Sequence, residues 1–526
     1  MWKWCISLLM SAFACALTPQ QVLVVYNAGS PLSKKAAVRY AEVRRVPSEN
    51  LVGLKGVGKG DVSREQFDSL IRRPLLEAAQ EKSWRLPTAV SLGGRKPVYA
   101  MVLMPDLPMR VQELPGPDGK VPAPFIPQTR ASIDSELSLL GARYELNSGL
   151  NNPSFRAERR FADSPPEVLS VCRIDAPDEK SIMRMIEDPA RVEQLGLWGW
   201  TVVDSGGKYP EGDKWMREVA SLAQRAWQPL FHESSGKTLP HAFPMMQRVA
   251  VYFGWYANPA NGPFSPKAPA SFRFEPGAVA FHLHSYSCTS ARSATDWVGA
   301  LLQRGAAVTA GNAAEPTLGA SLRPDIFYNR LLRGYTVAEA GLMATPALSW
   351  QGVVMGDPLY RPFAARTVNR VPERDVFVQW SLLASSCRGN FDRMQGRLNR
   401  YLVGNEGPLF AEMFAWFCLE NGSASHASRY FRLALNGSRR VEDQLRNRLM
   451  YITTLYAKGE EDEAKELMQR CLDDTVKSPY RAAVDATADV VFRVERARAK
   501  AEKEAREAAE KKKKEEMQKA DKSIKN

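Results

Sequence analysis

Two imidazoles and a thiol lie close together in GAVAFHLHSYSCTSARS (277–293): His282, His284 and Cys288, in a chain with five histidines in all. Side chains at i and i+2 of a strand point to the same face, so His282 and His284 can offer two imidazoles to one metal ion. Cys288, Asp204 or another residue would complete the set, although no third ligand stands at a recognisable spacing. The competing reading has both rings hydrogen-bonded within the layers of a sheet. Other catalytic templates fail. There is no Gly-x-Ser-x-Gly elbow and no Cys-x-x-Cys, and His232-Glu233 is followed by Ser-Ser-Gly, not by a second zinc histidine. SSGKT (234–238) ends like a phosphate loop, but Phe231 stands where its first glycine is required. Asp134 and Glu136 are two apart in a predicted helix, point to different sides and make no carboxylate pair by themselves.

The elements that must position these groups alternate between short apolar runs and amphipathic segments from about residue 20 to 365, the pattern of an α/β domain with a largely parallel sheet. QVLVVYN, PVYAMVLMPD, VLSVCRID, GWTVVDSGG, RVAVYFGWYAN, GAVAFHLHS and AAVTAGN read as strands, nearly all ending in polar residues or glycine. In an open parallel sheet such ends form the rim where ligands collect, so Asn27, Asp106, Asp175, Asp204, Trp255, His284 and Asn312 are candidates for one face. Glu315 is placed with them, and Glu136 could meet it there only through tertiary contacts. Polar residues also end strands that bind nothing, which is the plainer reading of each one alone. YFGWYANPANGPF (252–264) reads as core packing of Trp255 and Tyr256, with Asn258 and Asn261 fixing a turn. An aromatic-lined pocket for a peptide or a sugar is the alternative. The proline-rich stretch 107–129 reads as a long surface loop and ASIDSELSLL (131–140) as a helix.

At 526 residues the chain holds two or three domains. The net charge of +13 is spread along the sequence without a nucleic-acid motif, so solvated surface is expected and no nucleic acid. MWKWCISLLMSAFACALTPQ carries Lys3, an apolar run and a small-x-small site before Leu17, the pattern of an export signal cut after Ala16. A lipid anchor on Cys15 is disfavoured because Ala12-Phe13-Ala14 lacks the usual aliphatic residue. No later run is long enough to span a bilayer. Five cysteines remain after cleavage, widely spaced, which argues against a disulfide framework.

From about 374 the pattern turns helical throughout. Gly389, Gly422 and Gly459 each separate two helices at spacings of 33 and 37 residues, with Met394, Ala427 and Ala464 five residues beyond them. That is the helix-turn-helix period of tetratricopeptide-like repeats, which bind peptides or proteins; a helical cap is the plainer reading. The final stretch is rich in Ala, Glu, Lys and Arg without an apolar seam, so a solvated charged helix is expected rather than a coiled coil.

VLVVYNAGSPLS, ASIDSELSLL, RIDAPD, YFGWYANPANGPF, FRFEPGAVAFHLHSYS, AAVTAGNAAEP and VVMGDPLYRPF together resemble a family of exported bacterial proteins. The resemblance implies a shared fold and export, and no activity. A more distant similarity is to gingipain-like cysteine peptidases of the caspase-like fold, in which a histidine follows one strand and a cysteine follows the next. RVAVYFGWYAN and GAVAFHLHSYSCTS resemble that strand pair, which implies a nucleophile at Cys288, and GDPL (356–359) resembles the closing segment. The sequence departs from the pattern where Gly254-Trp255 occupy the histidine-glycine position. His284 is the nearest substitute, yet four extended residues would hold it roughly 13 Å from Cys288 unless the chain turns at 285–287. His232, His241 or a carboxylate are the other candidate bases.

The sequence thus predicts a signal peptide (1–16), a caspase- or flavodoxin-like α/β domain (17–370), a tetratricopeptide-like region (374–490) and a charged helical tail (491–526). An exported protein, periplasmic or extracellular, is expected, with a binding or assembly role on a peptidase-related fold and a protein or peptide partner held by the helices. The alternatives are a cysteine peptidase-like hydrolase using Cys288 with His284 and a metal-dependent hydrolase using His282 and His284. No other cofactor is expected.

Overall fold

The computed structural model describes residues 17–492 except 89–92, 117–119, 121–128, 147–148, 258, 270–271 and 368–374. The predicted signal peptide with Cys15, the tail beyond 492 and Asn258 lie outside the described residues. The chain divides into two compact units, Met1–His241 with Met245–Asn390, and Ala242–Pro244 with Phe391–Asn526.

The first unit is α/β. Its strands are β1 (Val22–Asn27), β2 (Leu51–Leu54), β3 (Ala100–Leu103), β4 (Ser170–Arg173), β5 (Trp200–Asp204), β6 (Leu230–Glu233), β7 (Val249–Gly254), β8 (Val279–His282), β9 (Thr309–Asn312) and β10 (Gly352–Met355). They form one sheet of order β2-β1-β3-β4-β10-β9 and another of order β6-β5-β7-β8. A bridge from Val279 in β8 to Val308, just ahead of β9, ties the two edges together. Every pairing within these sheets is parallel except β9 with β10. The central strands are buried on both faces, as in Val22–Val25 and Val249–Gly254, which is why they read as unbroken apolar runs rather than alternating ones.

Helices cover the sheets: α1 (Pro31–Arg44), α2 (Ile133–Ser138), α3 (Glu179–Val192), α4 (Pro210–Arg225), α5 (Trp297–Gln303), α6 (Pro324–Leu332), α7 (Val337–Ala344) and α8 (Val376–Ser386). Several begin at side-chain caps: Ser30, Ser132 and Asp178 each accept the backbone N–H three residues on, satisfying donors a helix start leaves free. In α4, Trp215, Met216, Val219 and Ala223 form the buried stripe expected of a helix with one face on a core. Helix α8 falls in the region read from sequence as helical repeat, yet it packs with the α/β unit. Phe377 meets Trp200 edge to face at 6.1 Å, and Arg248 lies over the Phe377 ring and pairs with Asp375 at 3.1 Å.

The second unit is built from α9 (Phe391–Leu398), α10 (Gly407–Glu420), α11 (Ala424–Gly437), α12 (Val441–Ala457), α13 (Glu461–Asp474) and α14 (Arg481–Val491). Met394, Ala427 and Ala464 are fully buried. Among the described residues, no helix is long and apolar enough to cross a membrane. Cys172, Cys288, Cys387, Cys418 and Cys471 are all buried and free.

Candidate functional site

Strands β7 and β8 run in register with Gly254 opposite His282. A Cβ at Gly254 would stand 2.2 Å from the Tyr252 hydroxyl and 2.8 Å from His282 Nδ1, so the absence of a side chain there lets those two groups meet, at 3.1 Å. The His282 ring stacks flat on Trp297, with centroids 3.4 Å apart and planes 5° apart. Burial holds its imidazolium far below the ordinary histidine range, and Nε2 has no partner among the described residues. Tyr252 Oη also lies 3.5 Å from Asp204 Oδ2, whose carboxyl is pushed up to about 8 by burial and by Glu233, its register partner on β6. The Tyr252 hydroxyl thus links a half-buried carboxyl at Asp204 to the fully buried ring of His282.

His284 lies just past the strand, its ring 4.7 Å from Tyr256 and edge-on to Tyr286 at 5.5 Å. The two histidines are thus held in separate aromatic settings, and among the described residues no group of three His, Cys, Asp or Glu side chains is placed to hold a metal ion.

The chain does turn at residues 285–288, as an approach of His284 to Cys288 requires. The turn carries the thiol inward. Cys288 is 0% exposed, its N–H donates to Asn312 O at 3.0 Å, and no hydrogen bond reaches Sγ from any described residue. Gly311 packs against this turn, since a Cβ there would lie 2.7 Å from Ser287 Oγ and 3.0 Å from Cys288 Cβ. Burial pushes the thiol far above its ordinary range, although Arg173 nearby pulls the other way. The thiolate is the reactive form of cysteine, and a buried protonated thiol without an imidazole is inert packing. His232 is engaged instead by Ser205 at 2.8 Å.

The predicted rim residues fall into two groups. Asn27, Asp106 and Asp175 gather under Arg292, which reaches Asp106 at 3.0 Å and Asp175 at 2.6 Å, while Asn27 Nδ2 donates to the Asp106 carbonyl at 2.8 Å. Asp204, Trp255, His284, Asn312 and Glu315 belong to the other group. Trp255 is buried, its N–H donating to Asp204 O and its indole to Asp213 at 2.6 Å. Asn312 Nδ2 donates to His284 O at 3.3 Å, and its Oδ1 is unpartnered among the described residues. Glu136 does not join Glu315; it is buried and bonded to Arg64, Tyr144 and Ser349. Asn261 turns the chain through its backbone, its carbonyl accepting from Phe264, with no side-chain cap.

Two cavities open beside the second group and share Glu315. One of about 440 Å³ is bounded by Tyr209, Tyr256, His284, Ser285 and Ser321, and one of about 560 Å³ by Arg110, Glu113, Arg130 and Tyr286. Tyr209 and Ser321 had no signal in sequence: Tyr209 merely precedes the proline that starts α4, and Ser321 sits in a loop.

His284 gives the site a pH signature. Burial lowers its pKa to about 4 against the pull of Asp296, below the ordinary value of 6.5. The folded form is then the one that resists protonation, so its contribution is intact above pH 6.5 and is lost as pH falls toward 4. At about 1.4 kcal/mol per unit, lowering pH from 7 to 5 should cost about 2 kcal/mol through this residue. Urea unfolding of wild type and His284→Gln at both pH values checks this, the variant losing correspondingly less.

No protein family, curated protein or solved structure matches this chain.

Proposed function

We propose that this is an exported binding protein, built on a caspase-like α/β framework from which cysteine catalysis is absent. In this reading the cleft lined by Glu315, Tyr256 and His284 takes a ligand, and the helical unit is a tetratricopeptide-like surface for a protein or peptide partner. The observation that carries the reading is the state of Cys288: buried, protonated, packed under Gly311 and without an imidazole on its sulfur. A peptidase needs its nucleophile open to substrate and within hydrogen-bond reach of a base. The cleft has the size and mixed lining of a ligand site and lies beyond the ends of β7 and β8, where open parallel sheets bind their ligands. The N-terminal sequence supplies the export part of the proposal.

Thiol labelling tests it. Cys288 should resist iodoacetamide and a peptidyl acyloxymethyl ketone in the folded protein and react with iodoacetamide once the chain is unfolded in urea, as read by peptide mass mapping. Labelling by the peptidyl probe in the folded state, lost in Cys288→Ala, would overturn the proposal.

A further inference from the structure

We infer that the cavity of about 440 Å³ beside His284 is a subsite for a neutral sugar ring of an oligosaccharide. The inference rests on the binding reading of this cleft. Tyr209 is 42% exposed yet braced, its ring 6.1 Å from Tyr256 in edge-to-face geometry and 6.2 Å from Trp255. Tyr256 is fixed in turn by His284 behind it and by a hydrogen bond of 3.1 Å between its hydroxyl and Ser285 Oγ. An exposed aromatic held rigid by others offers apolar area at little entropic cost, which suits the flat C–H face of a pyranose.

The polar groups suit its hydroxyls. Ser285 and Ser321 can each donate and accept, and Glu315 accepts one hydrogen bond, from Thr317 N–H at 3.0 Å, while its other carboxylate oxygen has no partner among the described residues. His284, which lines the cavity, keeps a buried Nδ1 without a partner among the described residues. A ligand rich in hydroxyls, which both donate and accept, matches these serines, the open Glu315 oxygen and the unpaired imidazole nitrogen.

Charge narrows the class further. No lysine or arginine lines this cavity and one carboxylate does, which disfavours an anion. A cation over the aromatic wall is disfavoured because Lys208 already places its ammonium 5.2 Å from the Tyr209 ring centroid. Burial keeps His284 neutral, so it adds no charge of its own. The adjoining cavity, reached past Glu315 and carrying Tyr286, gives a second sugar unit room beyond the first.

Calorimetric titration of the full mature chain with chitotetraose, cellotetraose and maltotetraose tests the inference, with a heparin tetrasaccharide and a mixed pool of hexapeptides as comparisons. One neutral tetrasaccharide should bind at roughly millimolar affinity or tighter, and about tenfold more weakly to Tyr209→Ala and Glu315→Gln. Circular dichroism should show both variants folded. Failure of all three neutral sugars while the peptide pool or heparin binds, with loss in those variants, would overturn the sugar assignment and leave the binding reading standing. Sugar binding unchanged in both variants would place it elsewhere and overturn the subsite. No binding by any probe would overturn both.

Discussion

Asp134→Ala should destabilise the α/β unit by about 3–5 kcal/mol, because it strands a buried guanidinium. The Arg173 side chain is 0% exposed and meets Asp134 Oδ2 at 2.6 Å, with Nε bonding both carboxylate oxygens at 3.2 Å. Nη1 and Nη2 also donate to the Leu107 and Pro108 carbonyls, at 3.1 and 2.8 Å, so one cation ties helix α2 and the 107–108 segment to strand β4. Those carbonyls cannot neutralise it. Desolvation of a charge costs the same whether or not its partner is present, and only the partner returns the Coulomb energy. The double variant Asp134→Leu with Arg173→Met should recover most of the loss, since an apolar pair of similar volume carries no desolvation cost. Urea midpoints from tryptophan fluorescence decide the matter: an unchanged midpoint in Asp134→Ala would show that the pair does not hold the fold.

The same pair shows where sequence reading reaches its limit. Asp134 lies in a helix that the ASIDSELSLL pattern predicts, and Arg173 ends a strand that VLSVCRID predicts, yet nothing in their spacing of 39 residues joins them. Strands buried on both faces were legible because an unbroken apolar run such as VLVVYN has few other uses. The outer strands Leu51–Leu54 and Leu230–Glu233 were not, being short, placed at sheet edges and interrupted by glycine or polar residues. Strand β10, parallel to β4 and antiparallel to the edge strand β9, was equally hidden. At the site, His284 and Glu315 could be proposed from strand ends alone. Tyr209 and Ser321 could not, because they join the cavity through chain segments that only tertiary packing brings together. The reading of His282 and His284 as a same-face pair assumes a strand that runs on to residue 284, whereas β8 ends at His282, and periodicity says nothing about neighbouring rings. Trp297 and Tyr252 take one imidazole into the core, and Tyr256 holds the other against the cavity.

Gly254→His, which restores an imidazole at the position where the resemblance to cysteine peptidases lacks one, should unfold the α/β unit rather than create an enzyme. Strand β7 is paired on both sides, Gly254 standing opposite Asp204 and His282, so the backbone has no edge toward which to yield. The first added atom alone would sit 2.2 Å from the Tyr252 hydroxyl. Relief would require Tyr252 and His282 to leave a packed core and give up their mutual hydrogen bond. Overpacking by one or two methylenes typically costs about 1–3 kcal/mol, and a whole imidazole with a lost buried hydrogen bond should exceed about 4 kcal/mol. Gly254→Ala should show the same effect in reduced form, about 2 kcal/mol. Even a folded Gly254→His protein would lack a reactive sulfur, because Cys288 is enclosed by Gly311, Ser287 and the Asn312 carbonyl independently of residue 254. Peptidase chemistry on this framework would need two changes at once, space for a histidine beside Tyr252 and an opening over the thiol. Thermal midpoints and peptidyl-probe labelling of Gly254→His, measured side by side, test both halves of the argument: a wild-type midpoint contradicts the steric half, and labelling at Cys288 contradicts the other.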